Sequence, residues 1–437
     1  MSDWTFKDLK KWDEKLCDVA KDSGLDWYPI IYETCDYYEM IGHMSYHGMP
    51  SHYPHWSYGK SFERTHQVYN AGVEGLPYEL IINSNPSIAY LMRENPLYLQ
   101  ILIMAHCIGH ADFFKNNRMF QDTRAEGIIS KFRNAKKRIQ EYIENPNIGI
   151  VEVETMLDSA HAVQHQVYRF PKKYITTAQK RRELISKMSD MKDRGESIED
   201  IDVNIVPLEP EHDLLGFILE HGKKLEEWQR DIIEIVRDEA QYFMPQIRTK
   251  VMNEGWASFW HYKLLHEADL PQKYHIPFLK SHNQVIRPHI GSINPYHLGF
   301  YMFKSIEENR GIDECFLARE VYHDESFIRH YLTQDNCEEL NLFSYSLKKN
   351  EYIVDDVSDE TGWKNIRQDL INQVGANTIP VIYVESIDEG NILVLHHEHD
   401  GRDLELEYSE RVVEHVSVLW GDVVKLMTIL EDEPFEI

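Results

Sequence analysis

The stretch LIMAHCIGHADFFKNN, residues 102–117, constrains the fold more than any other. His106 and His110 stand four apart in a segment that begins apolar and ends polar. In a helix, that spacing puts both imidazoles on one face. The apolar run around YLQILIMAHC is too short to cross a bilayer and carries a histidine, so it reads as part of a folded domain. Zinc peptidases use the same spacing in HExxH, where the glutamate is the general base. Here Cys107 takes the glutamate's place. The pair is therefore either a metal site with its base elsewhere or two hydrogen-bonded, half-buried core histidines.

A chain of 437 residues suggests two or three domains, and 42% apolar content is enough for a sizeable core. The net charge of −27 disfavours nucleic acid and anionic membranes as partners. Cysteines at 17, 35, 107, 315 and 337 form no CxxC pair, which argues against a disulfide framework and for a reducing compartment. The opening MSDWTFKDLKKWDEKL mixes acids and bases and lacks the pattern of a signal peptide. The expected location is the cytoplasm. The chain has 23 His, 25 Tyr and 9 Trp, many before residue 310, which suggests a polar-aromatic lining around a site.

The first ~170 residues read as mostly helical. Helices are expected over 6–24, after Pro86, from Asn95-Pro96 through the two histidines, and after Pro146. Residues 171–212 are charged and poor in aromatics, as in an exposed connector or mobile insertion. Helical patterning resumes at Leu214, with a break expected at Pro245. The last hundred residues read as strand 340–348, helix 363–375, strands 379–388 and 391–400, helix 409–421 and strand 422–430. That order, β-α-β-β-α-β, is ferredoxin-like. The expected fold is mainly α, with a helix-rich, gluzincin-like domain over 1–338 and a small C-terminal α+β domain over 339–437.

A catalytic zinc usually needs a third protein ligand and an open position. In VMNEGWASFWHYKLLHE, Glu254 and His261 are seven apart on one helical face, and in gluzincins a downstream helical glutamate completes the site. Glu254 fits that role, and Gly255 beside it lets another backbone approach closely. Otherwise Glu254 caps or salt-bridges a helix end. Glu154, Asp158, His161 and His165 form a polar stripe that reads as inward-facing. The Asp158-x-x-His161 pair also resembles half of a carboxylate-bridged di-iron site. Asp112, Glu154 and Asp158 are the carboxylates available as a base, and His161 joins Glu154 and Asp158 in the expected catalytic set. His55 lies in a polar-aromatic segment, and Arg287, His289 and Asn294 lie in a Pro/Gly-punctuated loop, so these four are the expected substrate-binding residues. HHEHD, 396–400, places His397 and His399 on one strand face but ends in a turn.

MPSHYPHWSYGKSFE, AHCIGHADFFKNN, MNEGWASFWHYKLL, INPYHLGF and a late LWG closely resemble the stage V sporulation protein R family, and the likeness runs through almost the whole chain. The resemblance implies an association with spore cortex formation. It also implies a gene neighbourhood with a serine protein kinase and a von Willebrand A-like protein, and so a multiprotein assembly. The family pattern likewise lacks the peptidase glutamate at 107, which counts against ordinary HExxH proteolysis. The expectation is a zinc enzyme, with iron as the alternative metal, held by His106, His110 and Glu254 and acting on an amide or peptide bond of a cell-wall precursor. The rival expectation is a scaffold or regulatory partner in a kinase-containing complex.

Overall fold

The computed structural model describes residues 3–70, 79–194, 203–289, 292–348 and 351–437, and the chain is mostly helical. It forms two compact units, each drawn from two stretches of sequence. The first comprises Met1–Lys136 with Pro245–Thr378, and the second Lys137–Met244 with Ile379–Ile437. The cut expected at 338–339 does not follow these units. It falls inside a short helix, Gln334–Glu339, of the first unit.

The first unit is organised around the helix Leu97–Asn116, here called the histidine helix. Its residues from Leu99 to Phe114 are all buried. A helix with no polar face must be surrounded by protein. The run read as too short to cross a bilayer belongs to a longer helix that is, among the described residues, the one long and apolar enough to do so, yet it is buried as a core element. Against it packs Lys250–Glu267, the glutamate helix, which in turn packs on Pro295–Arg310, the crossing helix.

Glycines set how closely these three approach. A Cβ on Gly109 would sit 2.7 Å from Ala257 Cα, and one on Gly255 would sit 2.4 Å from the Gly299 backbone. Neither position tolerates a side chain, so the helices touch main chain to main chain. Asp324 fixes the start of the glutamate helix. Its carboxylate accepts from the Val251 and Met252 backbone N–H groups, both at 2.9 Å, capping the helix from another segment.

A small sheet precedes the histidine helix: β1 (Ile30–Cys35), β2 (Leu80–Ile82) and β3 (Ser87–Met92). Its order is β1-β3-β2, with β3 parallel to β1 and antiparallel to β2. A helix was expected after Pro86, but SIAYLM forms β3. Its mix of apolar, aromatic and β-branched residues suits a strand buried on both faces, and the burial of Ala89, Tyr90 and Leu91 agrees. The break expected at Pro245 comes later, at Thr249, because Pro245 is accommodated inside the helix Glu227–Arg248.

The last stretches differ from the ferredoxin-like expectation. β4 (Ser344–Lys348) pairs only with β5 (Glu351–Asp356), in a separate two-stranded ribbon. The helix Gly362–Asn372 joins the first unit's core through Ile366, Leu370 and Ile371. The second unit has its own four-stranded sheet: β6 (Val381–Asp388), β7 (Ile392–Glu398), β8 (Val424–Leu430) and β9 (Glu433–Glu436), in that order. Only the β7–β8 pair is parallel, joined through the helix Leu406–Trp420. The segment expected as a connector instead contains the helix Thr177–Asp193, and Glu211 bridges to Val384 of β6. Residues 195–202 of that segment lie outside the described residues.

Candidate metal centre

Glu79, His106, His110 and Glu254 each present one donor atom, and these atoms all lie within 4.8 Å of one another. Among the described residues they are the one group of three or more His, Cys, Asp or Glu so arranged. His106 Nε2 is 3.5 Å from Glu79 Oε1 and 3.7 Å from Glu254 Oε2, and His110 Nε2 is 3.4 Å from Glu254 Oε2. Such separations are long for hydrogen bonds. They are close to the ~3.3 Å between two donors bound to one tetrahedral ion at ~2.0–2.1 Å. His106 Nε2 and Glu254 Oε2 are buried without a hydrogen-bond partner. With His106 Nδ1 carrying the proton, both are lone-pair atoms, and two such atoms facing each other in a core are costly unless a cation lies between them. The residues therefore fit a divalent metal.

Both imidazoles are held from behind. His110 Nδ1 is 2.9 Å from Asn253 Oδ1, and His106 Nδ1 is 2.8 Å from His261 Nδ1. A backing bond at Nδ1 leaves Nε2 as the ligating atom. The glutamate helix thus supplies one donor, Glu254, and the supports of both histidines.

The electrostatics favour a positive guest. Burial alone would raise the Glu254 carboxyl, but the His106 and His110 imidazoles hold it well below the usual carboxylate range. Burial lowers His110, and Glu254 outweighs this and raises it. Tyr296 lies 6.1 Å from His106 between ring centroids. Burial, with the charges of Glu254 and Glu79, pushes its phenol well above its usual range, so it stays a donor. Cys107, at the position of the missing glutamate, is fully buried and its thiol is pushed well up by burial. It is neither a base nor a thiolate ligand.

The structure brings together the three expected ligands and adds Glu79, which the sequence reading passed over. Glu79 stands immediately before β2 and far from HxxxH in the chain, so no spacing points to it. Asp112 is not available as a base. Its carboxylate accepts from Trp256 Nε1 and the Asp26 N–H, both at 2.9 Å, and pairs with Arg319 at 3.6 Å.

Glu154, Asp158 and His161 lie on the helix Gly149–Ala162 of the second unit, whereas the cluster is built entirely within the first. The buried residues of that helix are Val153, Met156, Leu157, Ser159 and Ala160, while Glu154, Asp158 and His161 are half-exposed and His165 is exposed. The inward polar stripe is thus corrected. The buried face packs on Leu406–Trp420, and Ser159 Oγ meets His415 Nδ1 at 3.1 Å.

Of the expected substrate-binding residues, Arg287 and His289 are exposed. Asn294 is buried as the cap of the crossing helix, accepting from the Tyr296 N–H and donating to the Val285 and Arg287 carbonyls. His55 is buried, with Nδ1 2.7 Å from Ser57 Oγ. The HHEHD histidines have local partners: His397 Nδ1 meets Thr428 Oγ1, and His399 Nε2 meets Asp403 Oδ1, each at 2.9 Å.

Residues 3–379 match the family described as "SpoVR like protein", and residues 380–431 match the "SpoVR-like C-terminal domain". The chain belongs to the SpoVR-like family. The two matches meet between residues 379 and 380, one residue from the edge of the compact units between Thr378 and Ile379. The chain is 35% identical over 484 residues to the "Uncharacterized protein YcgB" of Escherichia coli (strain K12), a match that spans all of this chain and 94% of that protein. No solved structure matches.

Proposed function

We propose that this SpoVR-like chain is a metal-dependent hydrolase of gluzincin-like site construction, with His106, His110 and Glu254 as ligands. Zinc is the proposed ion and iron the alternative. The proposed substrate is an amide or peptide bond of a cell-wall peptide precursor, met in the cytoplasm, which ties the family's name to cortex peptidoglycan. The observation that carries the reading is the convergence of two backed imidazoles and two carboxylates within 4.8 Å, with His106 Nε2 and Glu254 Oε2 buried and unpartnered.

A bound ion would polarise a substrate carbonyl and make its bound water a nucleophile near neutral pH. The protein must then supply a base, a donor and a rigid frame. Glu79 is the carboxylate placed to replace the absent HExxH glutamate, with Oε1 3.5 Å from His106 Nε2. As the base it accepts the proton of the attacking water and passes it to the departing amine. Tyr296, kept protonated, donates to the developing oxyanion. Asn253 and His261 hold the two imidazoles in place.

Elemental analysis of full-length protein purified without chelator tests this. About one ion per chain is expected, with loss in H106A and E254A. A content near zero in the wild type, or unchanged in H106A, defeats the proposal. E79Q then separates the two roles of Glu79. As a base, its loss stops turnover of a precursor peptide and leaves metal content intact. As a fourth ligand, its loss lowers metal content.

A second reading, a scaffold with a serine protein kinase and a von Willebrand A-like protein, rests on the second unit, which is a complete α+β assembly without any of the cluster. On that reading, full-length H106A/E254A keeps its partners in pull-down while losing metal.

A further inference from the structure

Behind His106 runs a line of three buried imidazoles. His106 Nδ1 is 2.8 Å from His261 Nδ1, and His261 Nε2 is 2.8 Å from His282 Nδ1. His261 is fully buried and His282 is 2% exposed. Each N···N bond in the line needs one N–H and one lone pair, so two neighbouring imidazoles are never both protonated.

A neutral imidazole has one N–H donor and one lone-pair acceptor. This makes the line directional. If His106 offers its Nε2 lone pair to a cation, its proton sits on Nδ1 and is donated to His261 Nδ1. His261 then carries its proton on Nε2 and donates it to His282 Nδ1. No other assignment makes both bonds and leaves His106 Nε2 free. In the reverse assignment His282 donates to His261, and His261 donates to His106. The His106 proton is then forced onto Nε2, where it points into the cluster and blocks a cation.

We propose that His282, two hydrogen bonds from the nearest ligand, is a positioning residue that sets whether His106 presents a lone pair or a proton to the metal centre. This rests on the metal-binding reading above. It treats the two ligand histidines differently. Asn253 backs His110 with an amide oxygen that is always an acceptor, whereas His106 depends on a chain of tautomers.

The test uses full-length protein and Zn²⁺ alone. Affinity is measured by chelator competition for wild type, H282L and H282Q, and ¹⁵N-histidine spectra of the zinc-loaded wild type report the tautomers. Leucine leaves the His261 Nε2–H buried without an acceptor and favours the reverse assignment, so H282L is expected to bind Zn²⁺ at least ~10-fold more weakly. Glutamine restores an acceptor, so H282Q is expected within ~3-fold of wild type. In the loaded wild type, His261 and His282 are both expected as Nε2–H tautomers. Wild type that binds Zn²⁺ but carries the His261 proton on Nδ1 overturns the inference alone, as does H282L that folds and binds like wild type. Wild type that binds no Zn²⁺ overturns the metal centre itself. If H282L does not fold, the wild-type spectra still decide.

Discussion

Two buried polar clusters, one in each unit, are built in opposite ways. In the second, Asp213 accepts from Arg237 and caps Leu214–His221, Glu211 pairs with Lys180, and His397 meets Thr428. Each of these buried groups answers another group of the protein. In the first, His106, His110, Glu79 and Glu254 point at one another without closing hydrogen bonds. Burial of this kind destabilises a fold unless something is supplied from outside. The contrast separates polar groups that hold a structure together from polar groups that wait for a ligand.

The strongest way to break that contrast is to remove a donor. H106A or E254A is expected to lower divalent-metal affinity by ~100-fold or more, read by chelator competition, because three-ligand sites lose most of their binding with one ligand. Retained affinity would make the two units alike.

The next is to push the donors apart. G255A places a methyl group against the Gly299 backbone, and a cost of ~3 kcal/mol is expected, seen as a lower unfolding midpoint together with weakened metal binding.

Acid sharpens the comparison. In the first unit, burial raises Asp324 to about 7, so the folded chain binds that proton more tightly than the unfolded one. Its contribution is full below the unfolded value and is lost as pH rises through about 7. In the second unit, burial would raise Glu211, but hydrogen bonds from Lys180 and the Asp213 N–H lower it overall. Its contribution is present above the unfolded value and is lost as pH falls through the folded one. Hydrogen exchange at pH values from 3 to 8 is therefore expected to show the second unit losing protection toward the acid end and the first losing it toward the basic end. The two effects are removed by E211Q and D324N respectively.

The smallest effect is expected from the polar residues of Gly149–Ala162. E154A, D158A and H161A should each change metal affinity by less than ~2-fold. A larger loss would return these residues to the site.

How much of this was legible in the sequence differs by feature. The histidine helix was readable because an apolar run with HxxxH leaves few alternatives. Glu254 was readable because its helix carries Gly255 and a Trp-rich apolar face. Glu79 was not, since a lone carboxylate before an edge strand has no periodicity to mark it. The polar stripe at Glu154, Asp158 and His161 was misread because alternation on a helix does not say which face is covered, and the small residues Ser159 and Ala160 turned out to mark the buried side. β4 formed where a strand was expected, but strand propensity does not choose a partner, and its pairing with β5 undid the ferredoxin-like order.

The seam at Gly109, Ala257, Gly255 and Gly299 has a bearing on how the centre can vary. Because main chain rests on main chain there, the donor spacing is set by the width of the polypeptide itself. A single added carbon at the seam resets that gauge.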